Sequence, residues 1–139
     1  MLLVIALIAV AGVLAAAVLS GGIEGMRLRT AGKQMADELR QVRMRSIASG
    51  KPQQFEIDPV SHHWNTSLGR SGRIPASLRI QFTGAREAQA RTGSGAIRFF
   101  PDGASTGGRI ELFTEQARWR IDVAWITGQV RSGRVGDLR

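Results

Sequence analysis

Residues Met1 to Leu19, MLLVIALIAVAGVLAAAVL, contain no charge and no strongly polar group. A helix of that length rises roughly 28 Å at about 1.5 Å per residue, enough to cross the hydrocarbon core of a bilayer. Its large apolar residues Leu2, Val4, Ile5, Leu7, Ile8, Val10, Val13 and Leu14 leave no face suited to water. A cleavable secretory signal needs a basic stretch ahead of its apolar core and a small-residue cleavage site. Ala15-Ala16-Ala17 could supply the site, but nothing basic precedes Leu2, so the run reads as a retained helix. Arg27, Arg29, Lys33 and Arg40 crowd its C-terminal flank, and the positive-inside tendency would hold that flank in the cytoplasm. A head on the other side requires something upstream to outweigh them.

The helical pattern continues past the apolar run. Leu28, Ala31, Met35, Leu39, Val42 and Ser46 recur at spacings of three and four, with Ile47 beside them, while Arg29, Lys33, Arg40 and Arg43 fall elsewhere on the cylinder. That stripe predicts an amphipathic helix packed on its own domain. Gly25 and Gly32 each cost about 1 kcal/mol relative to Ala inside a helix, so a bend or local loosening is expected there. Gly50 supplies the C-terminal cap and Pro52 the stop.

Beyond Pro52 the period changes to two. Phe55 and Ile57 alternate with Gln54 and Glu56, Asp58 to Ser61 form a turn, and His63-Trp64-Asn65 return as a hairpin partner. Leu78, Ile80 and Phe82 alternate with polar neighbours, as do Ile97 and Phe99, Ile110 and Leu112, and Trp119, Ile121 and Val123. Such alternation describes antiparallel strands with one solvated face, which places Arg109, Glu111, Arg118, Arg120 and Asp122 outside and Trp119 and Ile121 in the core. Thr83 to Gly95 has no clear period and reads as a mobile loop. The fold class is α+β: a long N-terminal helix, membrane-spanning in its first half and amphipathic in its second, packed on a small antiparallel β-sheet head. The expected organisation is residues 1–22 as the membrane or filament helix, 23–50 as its continuation into the head, and 51–139 as the head. With 22 removed residues, the remainder should be a soluble, monomeric, mostly β domain behind a helix.

Composition narrows the chemistry. The absence of Cys removes any disulfide framework or thiolate metal site. The formal charge of +8 is carried mostly by Arg and is compatible with nucleic acid, anionic lipid or an acidic protein partner. Pro101-Asp102-Gly103 with Gly107-Gly108 lacks the phosphate-loop pattern and a following helix, and fits a tight β-turn. His62 and His63 point to opposite faces of a strand and have no third ligand to complete a metal site. Asp102 or Glu111 as catalytic acids find no support in spacing, so neither an enzyme nor a cofactor is expected.

Several segments resemble a known family. Met1 to Leu19 is similar to the hydrophobic helix of type IV pilin-like proteins from just after the glutamate of their processing motif. Ala36 to Arg43 and Ser46 to Pro52 are similar to that family's helix exit. Phe99-Phe100-Pro101-Asp102-Gly103-Ala104-Ser105-Thr106-Gly107-Gly108-Arg109-Ile110 and Val123-Ala124-Trp125-Ile126-Thr127-Gly128-Gln129-Val130-Arg131 resemble the two C-terminal motifs of the H-type minor pseudopilins of type II secretion. The head-motif residues carried by the resemblance are Phe99, Pro101, Asp102, Gly103, Gly107, Gly108, Trp125, Thr127, Gly128 and Arg131.

The resemblance implies a single-pass inner-membrane subunit of a Gram-negative bacterium with its head in the periplasm. There it would join a short filament near its tip and support export of folded proteins across the outer membrane. Its expected partners are major and minor pseudopilins, the inner-membrane secretion platform and exported proteins. Ala11, Gly12, Ala15, Ala16 and Ala17 would permit close helix approach. The family's leader, its cleavage glycine, the methylated phenylalanine and the following glutamate are absent here. The expectation is therefore that Met1 is internal and that the upstream frame encodes a short basic leader, which would also resolve the orientation. An in-frame stop codon immediately upstream would overturn it. The alternative is a DNA-binding minor pilin of a type IV pilus, with the same head and T-G-x-V-R ending. That resemblance would put binding on Arg131, Arg134 and Arg139, joined by Arg118 and Arg120. Gln129 stands where a basic residue would strengthen it, and interleaved aromatics are missing.

Overall fold

The computed structural model describes residues 1–84 and 94–136, with the side chains of residues 20 and 21 set aside. Among the described residues a single helix, α1 (Leu2–Ser49), leads into eight strands: β1 (Gln53–Asp58), β2 (His63–Thr66), β3 (Ser71–Arg73), β4 (Arg79–Gly84), β5 (Gly95–Phe99), β6 (Gly108–Phe113), β7 (Arg118–Val123) and β8 (Val130–Arg134). The strands form two four-stranded sheets, ordered β3-β2-β1-β5 and β4-β6-β7-β8, and every pairing is antiparallel. This is the expected α+β class, with the strands of the head divided between two antiparallel sheets.

The two halves of α1 behave as their residues require. In the first half Leu2, Val4, Ile5, Leu7, Ile8, Val10, Val13 and Leu14 are all exposed, so these side chains are not covered by any of the described residues. In the second half Leu28, Ala31, Met35, Ala36, Leu39, Val42 and Ser46 are buried against β1, β7 and β8. The stripe expected from spacing is therefore the packing face. Sheet side chains complete the core: Phe55, Ile57, Trp64, Ile97 and Phe99 from the first sheet meet Ile110, Leu112, Ile121, Val123 and Val130 from the second. Phe55 and Trp64 stack with ring centroids 5.8 Å apart, and the register Ile57 opposite Trp64 is the hairpin expected from the alternation. Gly50, at φ 67°, closes the helix by donating its N–H to the Ser46 carbonyl at 3.1 Å.

Packing departs from the expected pattern at Trp119, at Glu111 and at the two ends of the Thr83–Gly95 segment. The helix runs unbroken through Gly25 and Gly32. At Gly32 the missing side chain is the space occupied by the Trp119 indole. Trp119 itself is half-buried rather than a core residue, because its ring lies on the helix surface with Nε1 donating to Ser132 Oγ at 2.7 Å. Glu111, expected on the solvated face, is 7 % exposed because Arg118 and Arg120 close over it, each 3.0 Å from one carboxylate oxygen. Of the expected loop from Thr83 to Gly95, Thr83 and Gly84 end β4 and Gly95 begins β5, while residues 85–93 lie outside the described residues.

A second buried carboxylate ties helix to sheet. Glu38 accepts from Arg70 at 2.6 Å, and Arg70 also donates to Gln41 at 2.7 Å, so the turn between β2 and β3 is held against α1. The turn between β1 and β2 is set more locally, by Asp58 Oδ1 accepting the amides of Val60 at 2.9 Å and Ser61 at 3.3 Å. The Ser61 side chain, then the Val60 and Ser61 amides, hold the Asp58 carboxyl below its ordinary value. A depressed folded-state value means that this contribution is complete above the unfolded value and is lost as pH falls through the folded one. The Val60 and Ser61 amide shifts should therefore titrate together below the ordinary aspartate range. Asp58→Asn should abolish that step, and amides insensitive to acid in the wild type would contradict it.

Candidate functional site

The two C-terminal motifs fold as two turns, and both close on the end of α1. The first turn begins where β5 ends. Gly103 N–H donates to the Phe100 carbonyl at 2.9 Å, Phe100 N–H to the Ala104 carbonyl at 2.9 Å, and Ala104 N–H to Asp102 Oδ1 at 3.0 Å. Asp102 is thus spent within its own turn, and a carboxylate occupies an amide that a phosphate-cradling loop would have to present. Gly103 has φ 88°, which suits glycine and explains its place after Pro101-Asp102. The second turn links β7 to β8. Ala124 N–H donates to the Gln129 carbonyl and Gly128 N–H to the Ala124 carbonyl, both at 2.9 Å, and Gln129 N–H to Thr127 Oγ1 at 3.3 Å.

Ser105 joins the turns to each other. Its N–H donates to the Trp125 carbonyl at 2.9 Å, its hydroxyl to the Ala124 carbonyl at 2.8 Å, and its oxygen accepts from Gly107 N–H at 2.9 Å. Gly107 has φ 74° and lies close to the Trp125 backbone, while Gly108 packs its backbone near Ile97. The helix then fastens both turns. Arg43 donates from Nε to the Gly103 carbonyl at 3.1 Å and from Nη2 to the Thr127 carbonyl at 3.0 Å. Ser46, fully buried, offers its hydroxyl to the carbonyls of Phe99 at 3.0 Å and Lys51 at 2.9 Å. Arg40 reaches the Val130 carbonyl at 3.3 Å.

The fastened assembly presents one apolar tip. Trp125 is 71 % exposed and Ile126 73 % exposed, although each flanking backbone is pinned. Both turns are held by hydrogen bonds to each other and to the helix, which fixes where these two side chains project. The other sequence candidates stand apart from it. His63 donates from Nδ1 to the Ser61 carbonyl at 3.0 Å and accepts from Arg73 at 3.1 Å, and His62 is at φ 57° in the preceding turn. Arg131 and Arg134 lie exposed along β8, Arg118 and Arg120 are paired with Glu111, and Arg139 lies outside the described residues. Among the described residues, Arg118 and Arg120 are taken up by Glu111 and so do not join Arg131 and Arg134 as free guanidinium groups.

Sequence reasoning missed Arg43, Ser46 and the Glu38–Arg70 pair as organisers. Only Ser46 left a signal, as the one hydroxyl in an otherwise apolar stripe. Because a hydrogen bond involving a charged group contributes about 1.5–3 kcal/mol and Arg43 is partly solvated, Arg43→Ala should cost roughly 1.5–2 kcal/mol. Arg43→Lys should recover at most half, since a point ammonium cannot span both carbonyls. Urea titration of the detergent-solubilised chain checks this, and losses below about 0.5 kcal/mol would remove Arg43 from the role.

Comparison with known proteins places these features. A family model described as Type II transport protein GspH matches residues 31–128, which include the packing half of α1 from Ala31 onward, the first motif and most of the second. The type II secretion system protein H of Xanthomonas campestris pv. campestris is 62 % identical over 133 residues, spanning 96 % of this chain and 79 % of that protein. The minor pseudopilin EpsH from the type 2 secretion system of Vibrio cholerae has the same fold, with a TM-score of 0.65 at 13 % identity, over 80 % of this chain and 99 % of that one. The type IV minor pilin FimU of Pseudomonas aeruginosa superposes with a TM-score of 0.61 at 11 % identity, over 79 % of this chain and 90 % of that one.

Proposed function

The chain belongs to the type II transport protein GspH family, and from that premise we propose how its parts serve a minor pseudopilin of the type II secretion system. The observation that carries the reading is the division of α1: an apolar half whose large side chains are exposed, continuous with a half buried in the head. α1 is long and apolar enough to cross a membrane. Residues 1–22 anchor the subunit in the inner membrane and pack into the filament core on assembly, 23–50 carry the helix into the head, and 51–139 form the periplasmic head. In lipid the exposed leucines and valines meet acyl chains, and in a filament they meet the same surface of neighbouring subunits, where Ala11, Gly12, Ala15, Ala16 and Ala17 allow close approach.

The role is structural. The motif residues Phe99, Pro101, Asp102, Gly103, Gly107, Gly108, Thr127 and Gly128 build the mount, and Trp125 with Ile126 forms the surface offered to other pseudopilins near the filament tip. An exposed, rigidly held aromatic is the type of residue that anchors a protein interface. The DNA-uptake reading is not favoured. The family and the 62 % identical relative belong to secretion, and the head shared with a type IV minor pilin is a matter of fold alone.

Deletion of the gene should abolish export of folded periplasmic proteins, and full-length protein supplied in trans should restore it. Neutralising Arg131, Arg134 and Arg139 together should leave that restored export within about twofold of wild type, because exposed charges contribute weakly. Normal secretion in the deletion strain, with salt-sensitive duplex binding that needs those three arginines, would overturn the assignment.

A further inference from the structure

Where α1 leaves its apolar run, a groove of about 690 Å³ opens between the helix and the β7–β8 edge. Its walls combine Met26, Leu28 and Trp119 with three cations, Arg29 and Lys33 from the helix and Arg134 from β8. All three cations are exposed, and among the described residues none of them takes part in a salt bridge. Glu24, one position before the groove, does not line it. We propose that this groove holds the phosphate of an anionic phospholipid headgroup while the subunit is anchored in the membrane.

The proposal rests on the reading of residues 1–22 as the membrane segment, and position is its first support. The uncharged stretch runs from Leu2 to Ile23, about 33 Å of helix against a hydrocarbon core of about 30 Å. The groove floor at Gly25 and Met26 therefore sits within the headgroup layer. Helical side chains tilt toward the N-terminus, so Arg29 and Lys33 lean down toward the lipid. Their stems cover apolar wall while their heads meet phosphate, and a guanidinium can grip two phosphate oxygens at once. A half-buried tryptophan whose N–H is already satisfied by Ser132 is suited to the boundary between acyl chain and headgroup. The same basic flank that opposes insertion by the positive-inside tendency would be neutralised by this ligand.

Native mass spectrometry of the full-length chain, released from micelles containing equal phosphatidylglycerol and phosphatidylethanolamine, tests it. Wild type should retain phosphatidylglycerol about tenfold over phosphatidylethanolamine. The triple variant Arg29→Gln, Lys33→Gln, Arg134→Gln should fall to parity, whereas Arg73→Gln, Arg98→Gln, Arg131→Gln, with the same change in net charge, should keep the preference. Unchanged preference in the first variant, or loss in both, overturns the proposal. Displacement of the lipid by millimolar inorganic phosphate would assign the groove to the free anion and overturn the lipid source. Membrane insertion is read separately, as resistance of all three proteins to alkaline extraction from proteoliposomes; extraction of wild type would sink the anchoring premise instead.

Discussion

Gly32→Leu should destabilise the head by roughly 3 kcal/mol, although leucine is the better helix former by nearly 1 kcal/mol at an open position. A Cβ at residue 32 would overlap the Trp119 indole at Cδ1, Nε1 and Cγ. The ring cannot yield without giving up its bond to Ser132 Oγ at 2.7 Å and its cover over the helix. Trp119→Ala alone should cost about 2–3 kcal/mol, below the 3–5 kcal/mol of a fully buried aromatic, because the ring is half-buried. The decisive measurement is the pair. In a Trp119→Ala background Gly32→Ala should turn stabilising by about 1 kcal/mol, since only the helix propensity remains. Equal penalties for Gly32→Ala in both backgrounds, by urea titration in detergent, would show that the notch does not exist.

That pair also marks where reading the sequence stops. The stripe from Leu28 to Ser46 was legible because burial along one helix face is periodic, and the Phe55–Trp64 hairpin because its strands are adjacent and alternate. A glycine's local cost is visible in sequence, but the ring that fills its place comes from a strand far along the chain. Glu111 obeyed the alternation and still became buried, because Arg118 and Arg120 arrive from the neighbouring strand to cover it. The motif glycines could be matched to a family without revealing their purpose. The spacing puts Arg43 off the apolar stripe and says no more, and its carbonyl partners at Gly103 and Thr127 are set only when both turns reach the helix. Side-chain bonds to distant backbone carry no periodic signature, so the mount of the candidate surface had to be seen in three dimensions.

Gly128→Ala should cost about 2–5 kcal/mol, the sum of a left-handed backbone penalty of about 1–2 kcal/mol and overpacking of about 1–3 kcal/mol. Gly128 has φ 67°, and its Cβ would run into the Gly103 carbonyl oxygen and come within 2.9 Å of Arg43 Nε. Neither neighbour can retreat cheaply. The Gly103 carbonyl is the acceptor for Arg43, and Gly103 N–H is held by the Phe100 carbonyl. Gly50 provides the control, since it has the same φ of 67° but no heavy atom within 4 Å of its would-be Cβ. Gly50→Ala should therefore cost only the backbone part, about 1–2 kcal/mol. The excess at residue 128 measures the packing of the two turns against Arg43. Displacing that turn also displaces Trp125 and Ile126, so Gly128→Ala should lower secretion at unchanged protein level while Gly50→Ala does not. Equal costs at the two glycines, or full secretion with the Gly128 variant, would mean that the junction is neither tightly packed nor the support of the exposed tip.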